Sequence, residues 1–333
     1  MIIERRQLFR GALAAAAGAG LVSASGTASA AAGNGPGDLV FDFSPRMNQW
    51  EGAGETQFSH AWCNLFQGVT AGTRYWYVTS NQSGTGRGIW RLDHDFTKAK
   101  WMKELQLPSA KHIGAPTYDA ARNRLYVALE PGGKGQVWEV QLEGTGNWTG
   151  RTTRVRDLDG AGSRPQGYSA PWCAVNPLDG LLYSSVFGSP VETPNRVDRI
   201  FAYDPDDNFR HVRTLTIPSG FYIHRIQGGA FGANGNLYLS SDRDDRPGHK
   251  KLHGYRVPAG TGPGQVEPLG TVDINAPNLE VEGLAIGVPS DYAPAAGSAL
   301  SGTWIRVGCL RVDWFSLDNV YMKRYWVPDR RFV

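Results

Sequence analysis

The chain has 333 residues, with 34 Lys and Arg against 31 Asp and Glu, and a formal net charge of +3. A charge this small, with no Lys/Arg cluster interleaved with aromatics, excludes a footprint for a phosphate backbone and so a nucleic-acid partner. No charge block or Pro/Ser-rich linker divides the chain, and closed all-β folds of this size form one domain.

The N-terminus is read first. Arg5 and Arg6 precede Gln7-Leu8-Phe9-Arg10, a weakly apolar Ala/Gly-rich run from Gly11 to Val22, and Ala28-Ser29-Ala30. That order is the positive region, apolar region and small-residue cleavage site of an export signal. The paired arginines and the low hydrophobicity resemble the twin-arginine type, which carries folded proteins. The run is too short and too rich in Ala and Gly to span a bilayer, which takes about 20 apolar residues. The expected organisation is therefore a signal over residues 1–30, a disordered stretch over 31–37 and one globular domain over 38–333. The mature protein is expected to be secreted and monomeric, with no membrane anchor. Loss of Arg5, Arg6, Arg10 and Glu4 brings its charge to +1. Cys63, Cys173 and Cys309 are far apart in sequence, which argues against a CxxC metal pair. Each reads as a buried structural residue, and whether two of them pair is open.

A repeat runs through the rest of the chain. Short apolar segments with a small residue recur about every 50 residues, a propeller-like period: Phe66-Gln67-Gly68-Val69, His112-Ile113-Gly114-Ala115, Tyr168-Ser169-Ala170-Pro171, Ile226-Gln227-Gly228-Gly229 and Val281-Glu282-Gly283-Leu284. A turn and an aromatic strand follow each: Arg74 to Val78, Leu125 to Ala128, Leu182 to Ser185, Leu237 to Ser240 and Thr303 to Cys309. Third strands are predicted at Gly88 to Leu92, Gln136 to Val140, Arg199 to Tyr203, Leu252 to Val257 and Val320 to Val327. Their alternation of apolar and polar residues suits strands with two different faces. Fourth strands are predicted at Met102 to Leu107, Thr153 to Leu158, Val212 to Ile217 and Pro268 to Ile274. The fifth unit lacks one, and Leu39 to Phe43, a strand without a unit, is expected to supply it. Pairing the chain ends removes an exposed sheet edge.

The predicted fold is thus all-β: a single β-propeller of five four-stranded blades closed by the N-terminal strand, with six blades as the alternative. In this arrangement the whole mature chain resembles the secreted β-propellers, a superfamily that includes lactonases, glycoside hydrolases and lyases, nucleotidases and lectins. Glu282-Gly283-Leu284-Ala285 is similar to strands of metal-dependent propeller hydrolases. The resemblance implies that first strands line a central channel and that the loops entering them form a ligand funnel.

The residues just before the small position are Gln67, Ile113, Ser169, Gln227 and Glu282. Carboxylate and amide oxygens converging on one axis suit a hard divalent cation such as Ca²⁺, with Glu282, Gln67 and Gln227 as candidate ligands. The bland alternative is hydrogen bonding to neighbouring strands. Upstream lie His60, His112, Arg164, Tyr168, His224, Arg225 and Glu280, all expected at one mouth. His112, His224, Glu280 and Glu282 are candidate acid–base groups. Glu280 and Glu282, two apart on a strand, are expected to point alike and raise one another's pKa. His60, Tyr168, Trp172 and Arg225 are candidate substrate contacts, with Trp62 and Tyr222 as further rings for stacking. Glu130 and Asp242 follow second strands, where they either reach the funnel or cap turns, with turn capping favoured.

The expected function is an extracellular hydrolase or lyase acting on a carbohydrate or small ester at a single funnel site. The alternative is a non-catalytic ligand- or glycan-binding propeller. A lectin repeats one pocket in every blade, whereas these five positions differ.

Overall fold

In the first four blades the hairpin of the two inner strands is closed by a turn containing Asn, Asp or Gly. In the turn after Val175, Asn176 Oδ1 accepts the N–H of Leu178 and Asp179 Oδ1 that of Leu181, both at 3.0 Å, the side-chain turn mimicry these residues favour. The computed structural model describes residues 49–51, 61–82, 86–94, 96, 98–102, 105, 112–130, 135–142, 153–158, 166, 169–188, 196–242, 250–274, 279–287, 302–311 and 318–328. After β1 (Gln49–Glu51), the first blade is β2 (Phe66–Ala71), β3 (Trp76–Ser80), β4 (Gly88–Leu92) and β5 (Ala99–Trp101). The second is β6 (His112–Asp119), β7 (Arg124–Glu130), β8 (Gln136–Gln141) and β9 (Thr153–Asp157). The third is β10 (Cys173–Val175), β11 (Leu182–Ser184), β12 (Arg199–Asp204) and β13 (Arg210–Thr216). The fourth is β14 (Ile226–Phe231), β15 (Asn236–Asp242), β16 (Lys250–Arg256) and, after the short β17 (Gly264–Gln265), β18 (Glu267–Asp273). The fifth is β19 (Glu280–Ile286), β20 (Gly302–Arg311) and β21 (Asn319–Pro328), with β1 on its outer edge.

The innermost strands β2, β6, β10, β14 and β19 neighbour one another in that order, and β19 returns to β2. The protein is a five-bladed β-propeller. The expected N-terminal closure is present, and the described part of it is β1. Gln49, Trp50 and Glu51 pair with Arg324, Lys323 and Met322, while Leu39 to Phe43 lies outside the described residues, as do the export segment and residues 31–37.

Three expectations change. The first blade's outer strand is Ala99–Trp101, not Met102 to Leu107. Met102 instead turns inward, 2% exposed, with its N–H on the Ile89 carbonyl. In the third blade the ladder begins at Cys173 rather than Tyr168, because Pro171 has no N–H to pair and turns its carbonyl to Ala115 N of the second blade. A strand not foreseen, β17, pairs in parallel with β13 and makes the third sheet five-stranded.

The core is divided among the five blade junctions. On β7, Leu125, Val127 and Leu129 face the cluster shared with the first blade, while Tyr126 and Ala128 face the one shared with the third. Period-two alternation therefore buries both faces of the second strands. Tyr77, Tyr126, Tyr183 and Tyr238 each pack toward the following blade. In the fifth blade Arg306 takes this place, its guanidinium 4.9 Å from the centroid of Trp76 in the first, so a cation–π contact replaces the aromatic one. Cys63, Cys173 and Cys309 lie buried in three separate junction clusters and are not disulfide-bonded.

The small residue of the repeat is explained at the axis. A Cβ on Gly283 would stand 2.4 Å from Gly68 Cα, one on Gly68 2.6 Å from Ala115 Cα, and one on Gly114 2.3 Å from Pro171 O. Backbone meets backbone at these points, and no side chain fits. Gly283→Ala is expected to lower stability by about 3 kcal/mol, an overpacking cost, read from the urea midpoint. Gly262→Ala, where a Cβ meets nothing within 4 Å, should stay within about 0.5 kcal/mol of wild type. Truncation through Glu51 should bare the β21 edge and cause concentration-dependent aggregation, measured by light scattering.

Candidate functional site

Close packing at the axis also bends the inner strands. Register shifts fall between Phe66 and Gly68, Ile113 and Pro116, Ile226 and Gly228, and Val281 and Leu284. Each bulge leaves the residue beside the glycine outside the regular ladder. Gln67, Gln227 and Glu282 lie in such bulges, while Ile113 stays paired with Leu129 and Ser169 precedes β10; all five are buried, between 0% and 6% exposed. Inner strands of non-adjacent blades also approach within 8 Å between Cα atoms. The axis is therefore filled, and a ligand has access only at the ends.

Two of the four polar axial groups are consumed by structure. Gln67 donates from Nε2 to the Phe66 carbonyl at 2.9 Å, and Ser169 Oγ accepts the Phe187 N–H at 3.0 Å. Among the described residues no group of three or more His, Cys, Asp or Glu side chains is placed to hold a metal ion. Glu282 and Gln227 are both 2% exposed on neighbouring bulges, where Gly228 abuts Gly283.

The start of each inner strand, the end of the second and the start of the third share one mouth. In the second blade His112 stands opposite Glu130 across β6 and β7, with Nδ1 3.1 Å from Glu130 Oε2 and the side chains 16% and 15% exposed. Glu130 is thus no turn cap but the partner of His112. The cross-strand register, once fixed by the Asp119 to Asn123 turn, is the signal that would have found it.

His224 and Arg225 reach the mouth on the segment joining the third and fourth blades. That segment is pinned by the Val197–Ile223 bridge, by Arg225 N–H on Gly188 O at 3.2 Å, and by Asp242 N–H on Arg225 O at 3.0 Å. These bonds hold Arg225 at φ 52°, a left-handed conformation a non-glycine residue keeps only when its surroundings impose it. Its guanidinium lies 5.8 Å from the Phe187 ring centroid, and Arg196 lies 4.2 Å from that of Tyr222. Both His224 and Arg225 are half-buried.

Trp172 is corrected as a stacking residue. It is fully buried, its ring carbons lie 2.2 Å from where a Gly229 Cβ would be, and its indole N–H is given to Ser185 Oγ at 2.9 Å. No ring face is left for a ligand. Trp62, 1% exposed against Phe66 and Phe96, is likewise core. His60, Arg164 and Tyr168 lie outside the described residues.

The expectation for Glu280 and Glu282 rested on regular alternation, which the bulge at Glu282-Gly283 interrupts. The carboxyl whose ionisation Glu280 opposes is Asp242, at the end of β15. Burial pushes Asp242 up to about 7, Lys250 and Arg225 pull it down, and Glu280 adds to the rise. Nearby, His253 accompanies Ser241 at 3.0 Å and is driven down to about 3 by burial, so it stays neutral.

No family model matches the chain, and no curated protein is similar to it in sequence. Among solved structures, a chain of the nidogen/laminin complex is 12% identical over 75% of this chain and 76% of its own, with a TM-score of 0.40. The subtype N11 neuraminidase-like protein of H18N11 (flat-faced bat, Peru) is 10% identical over 90% and 98%, with a TM-score of 0.42. A GH43 glycoside hydrolase described as an endo-xylanase and exo-arabinofuranosidase is 14% identical over 78% and 53%, with a TM-score of 0.41. The likeness brings no activity with it.

Asp242 makes a prediction about stability. Its folded pKa of about 7 lies above the ordinary 3.8, so the folded state holds a proton the unfolded state releases between those values. Its contribution is fully present below about pH 4 and is lost as pH rises to 7. Wild type should therefore lose stability relative to Asp242→Asn over that window in urea titrations. A constant difference between the two from pH 4 to 7 would contradict the assignment.

Proposed function

We propose that the protein is an exported hydrolase or lyase acting on a carbohydrate or small ester at a single site in the mouth of the propeller. The observation that carries this reading is the His112–Glu130 pair. A carboxylate stands 3.1 Å from Nδ1, close enough to pair with a protonated ring although the contact lacks hydrogen-bond alignment, as is common for acid–base groups before substrate binds. Its oriented imidazole is suited to take a proton from water or from a substrate carbon, and later to return one to a leaving oxygen. Glu280 and His224, half-buried at the same mouth, supply further proton-transfer groups, and Arg225 a cationic contact. The five axial positions differ from blade to blade, which favours one site over five copies of a lectin pocket. Export rests on the paired arginines and the apolar run of residues 1–30.

Purified protein should turn over at least one member of a panel of glycans, lactones and simple esters, assayed with and without chelator. His112→Ala and Glu130→Gln should each lower kcat by about 10²-fold or more. Removing one partner of a pair only 16% and 15% exposed should cost about 1–3 kcal/mol, so kcat is compared well below the thermal midpoint of each variant. Full activity in both variants overturns the reading. Glycan binding without turnover across the panel would point to a non-catalytic propeller.

A further inference from the structure

Glu280 opens β19 at the mouth, and the peptide groups on either side of it are both held by the fourth blade. Asp242, the last residue of β15, accepts the Val281 N–H on Oδ2 at 2.8 Å. Lys250, the first residue of β16, donates from Nζ to the Leu279 carbonyl. The two side chains are 1% and 4% exposed, with Lys250 Nζ 3.7 Å from Asp242 Oδ1. One buried Asp–Lys pair, ionised as pH rises through about 7, thus grips the backbone immediately before and immediately after one half-buried carboxylate.

Adhesion between blades does not require such a pair. One step deeper, at the inner-strand glycines, the first and second blades are tied by Thr79 Oγ1 donating to Gly114 O at 2.8 Å, and the second and third by Ala115 N–H on Pro171 O at 3.0 Å. The fourth and fifth already have the neutral equivalent in Ser240 Oγ donating to Glu282 O at 3.2 Å. Charge buried at a junction adds little net stability over an apolar replacement. What it does supply is two strong, directional contacts of opposite sense: an acceptor for one peptide group and a donor for the other.

We propose that Asp242 and Lys250 are positioning residues that fix Glu280, and through Val281 the neighbouring Glu282 bulge, for acid–base work at the mouth. Neither touches the reacting atoms. The inference rests on the reading of Glu280 as a proton-transfer group. Its physical basis is that displacement of such a group by about 1 Å costs on the order of 10²-fold in rate.

The test uses Asp242→Ala, Asp242→Asn, Lys250→Met and Glu280→Gln in the full chain, assayed on the ester or glycan turned over by wild type. Asp242→Ala and Lys250→Met should lower kcat by about 10²-fold with KM within a factor of about three. Asp242→Asn, whose amide oxygen still accepts the Val281 N–H, should restore kcat to within about tenfold of wild type. If Glu280→Gln is inactive while Asp242→Ala and Lys250→Met keep full kcat, the positioning role is overturned and the acid–base reading stands. If Glu280→Gln is fully active, the acid–base reading of that residue is what fails. A readout independent of turnover is the crystal structure of Lys250→Met or Asp242→Ala. Residues 279–282 unmoved from their wild-type positions in either variant overturn the proposal.

Discussion

Everything in this propeller follows from how near its five inner strands come to one another. A methyl group on Gly283 would stand 2.4 Å from the Cα of Gly68, and one on Gly228 2.8 Å from the Cα of Gly283. At such separations main chain packs on main chain, and glycine is the residue that permits it. The strands relieve the crowding by bulging at the same points. The bulges leave Gln67, Gln227 and Glu282 out of the ladder and buried beside the axis. An axis filled in this way has no room for substrate, which confines chemistry to the mouths.

Stability outside the axis is shared among five equivalent junctions. The second strand of every blade has no solvent face, so its alternate residues serve two neighbours, and its tyrosine always serves the following blade. Where the fifth blade places Arg306 in that position, Trp76 of the first blade receives a cation rather than a ring. The junction between first and last blades is thus built like the others, with β1 pairing along β21 to complete the sheet. Because the junctions form a closed circle, each blade is held from both sides.

Burial separates the polar residues of the mouth by role. Asp242 and Lys250 are enclosed and bind peptide groups of the next blade, and Asp318 does the same between the fifth and first blades, accepting the Leu65 N–H at 2.9 Å. His112, Glu130, His224, Arg225 and Glu280 remain half-buried, enclosed enough to be oriented and open enough to meet a ligand. The left-handed backbone at Arg225 belongs with them, since three hydrogen-bonded contacts from two blades are committed to holding that segment.

The blade number, the strand order and the exchange of a terminal strand were legible in the sequence, because each depends on local pattern: alternation along a strand, Asn/Asp/Gly chemistry in a turn, and a small residue recurring in every repeat. The candidate mouth was legible to the same extent, since His112, His224, Arg225 and Glu280 all stand at or before the start of an inner strand. Tertiary structure decided what pattern does not encode. Side-chain partners depend on register, which paired His112 with Glu130. Accessibility depends on what the next blade covers, and that removed Trp172 from any ligand. Strand limits depend on long-range pairing, so β10 began after Pro171. The grip of Asp242 and Lys250 on the peptides around Glu280 joins residues some 30 to 40 positions apart in sequence. Only the close approach of two blades, imposed at the glycines of the axis, brings them together.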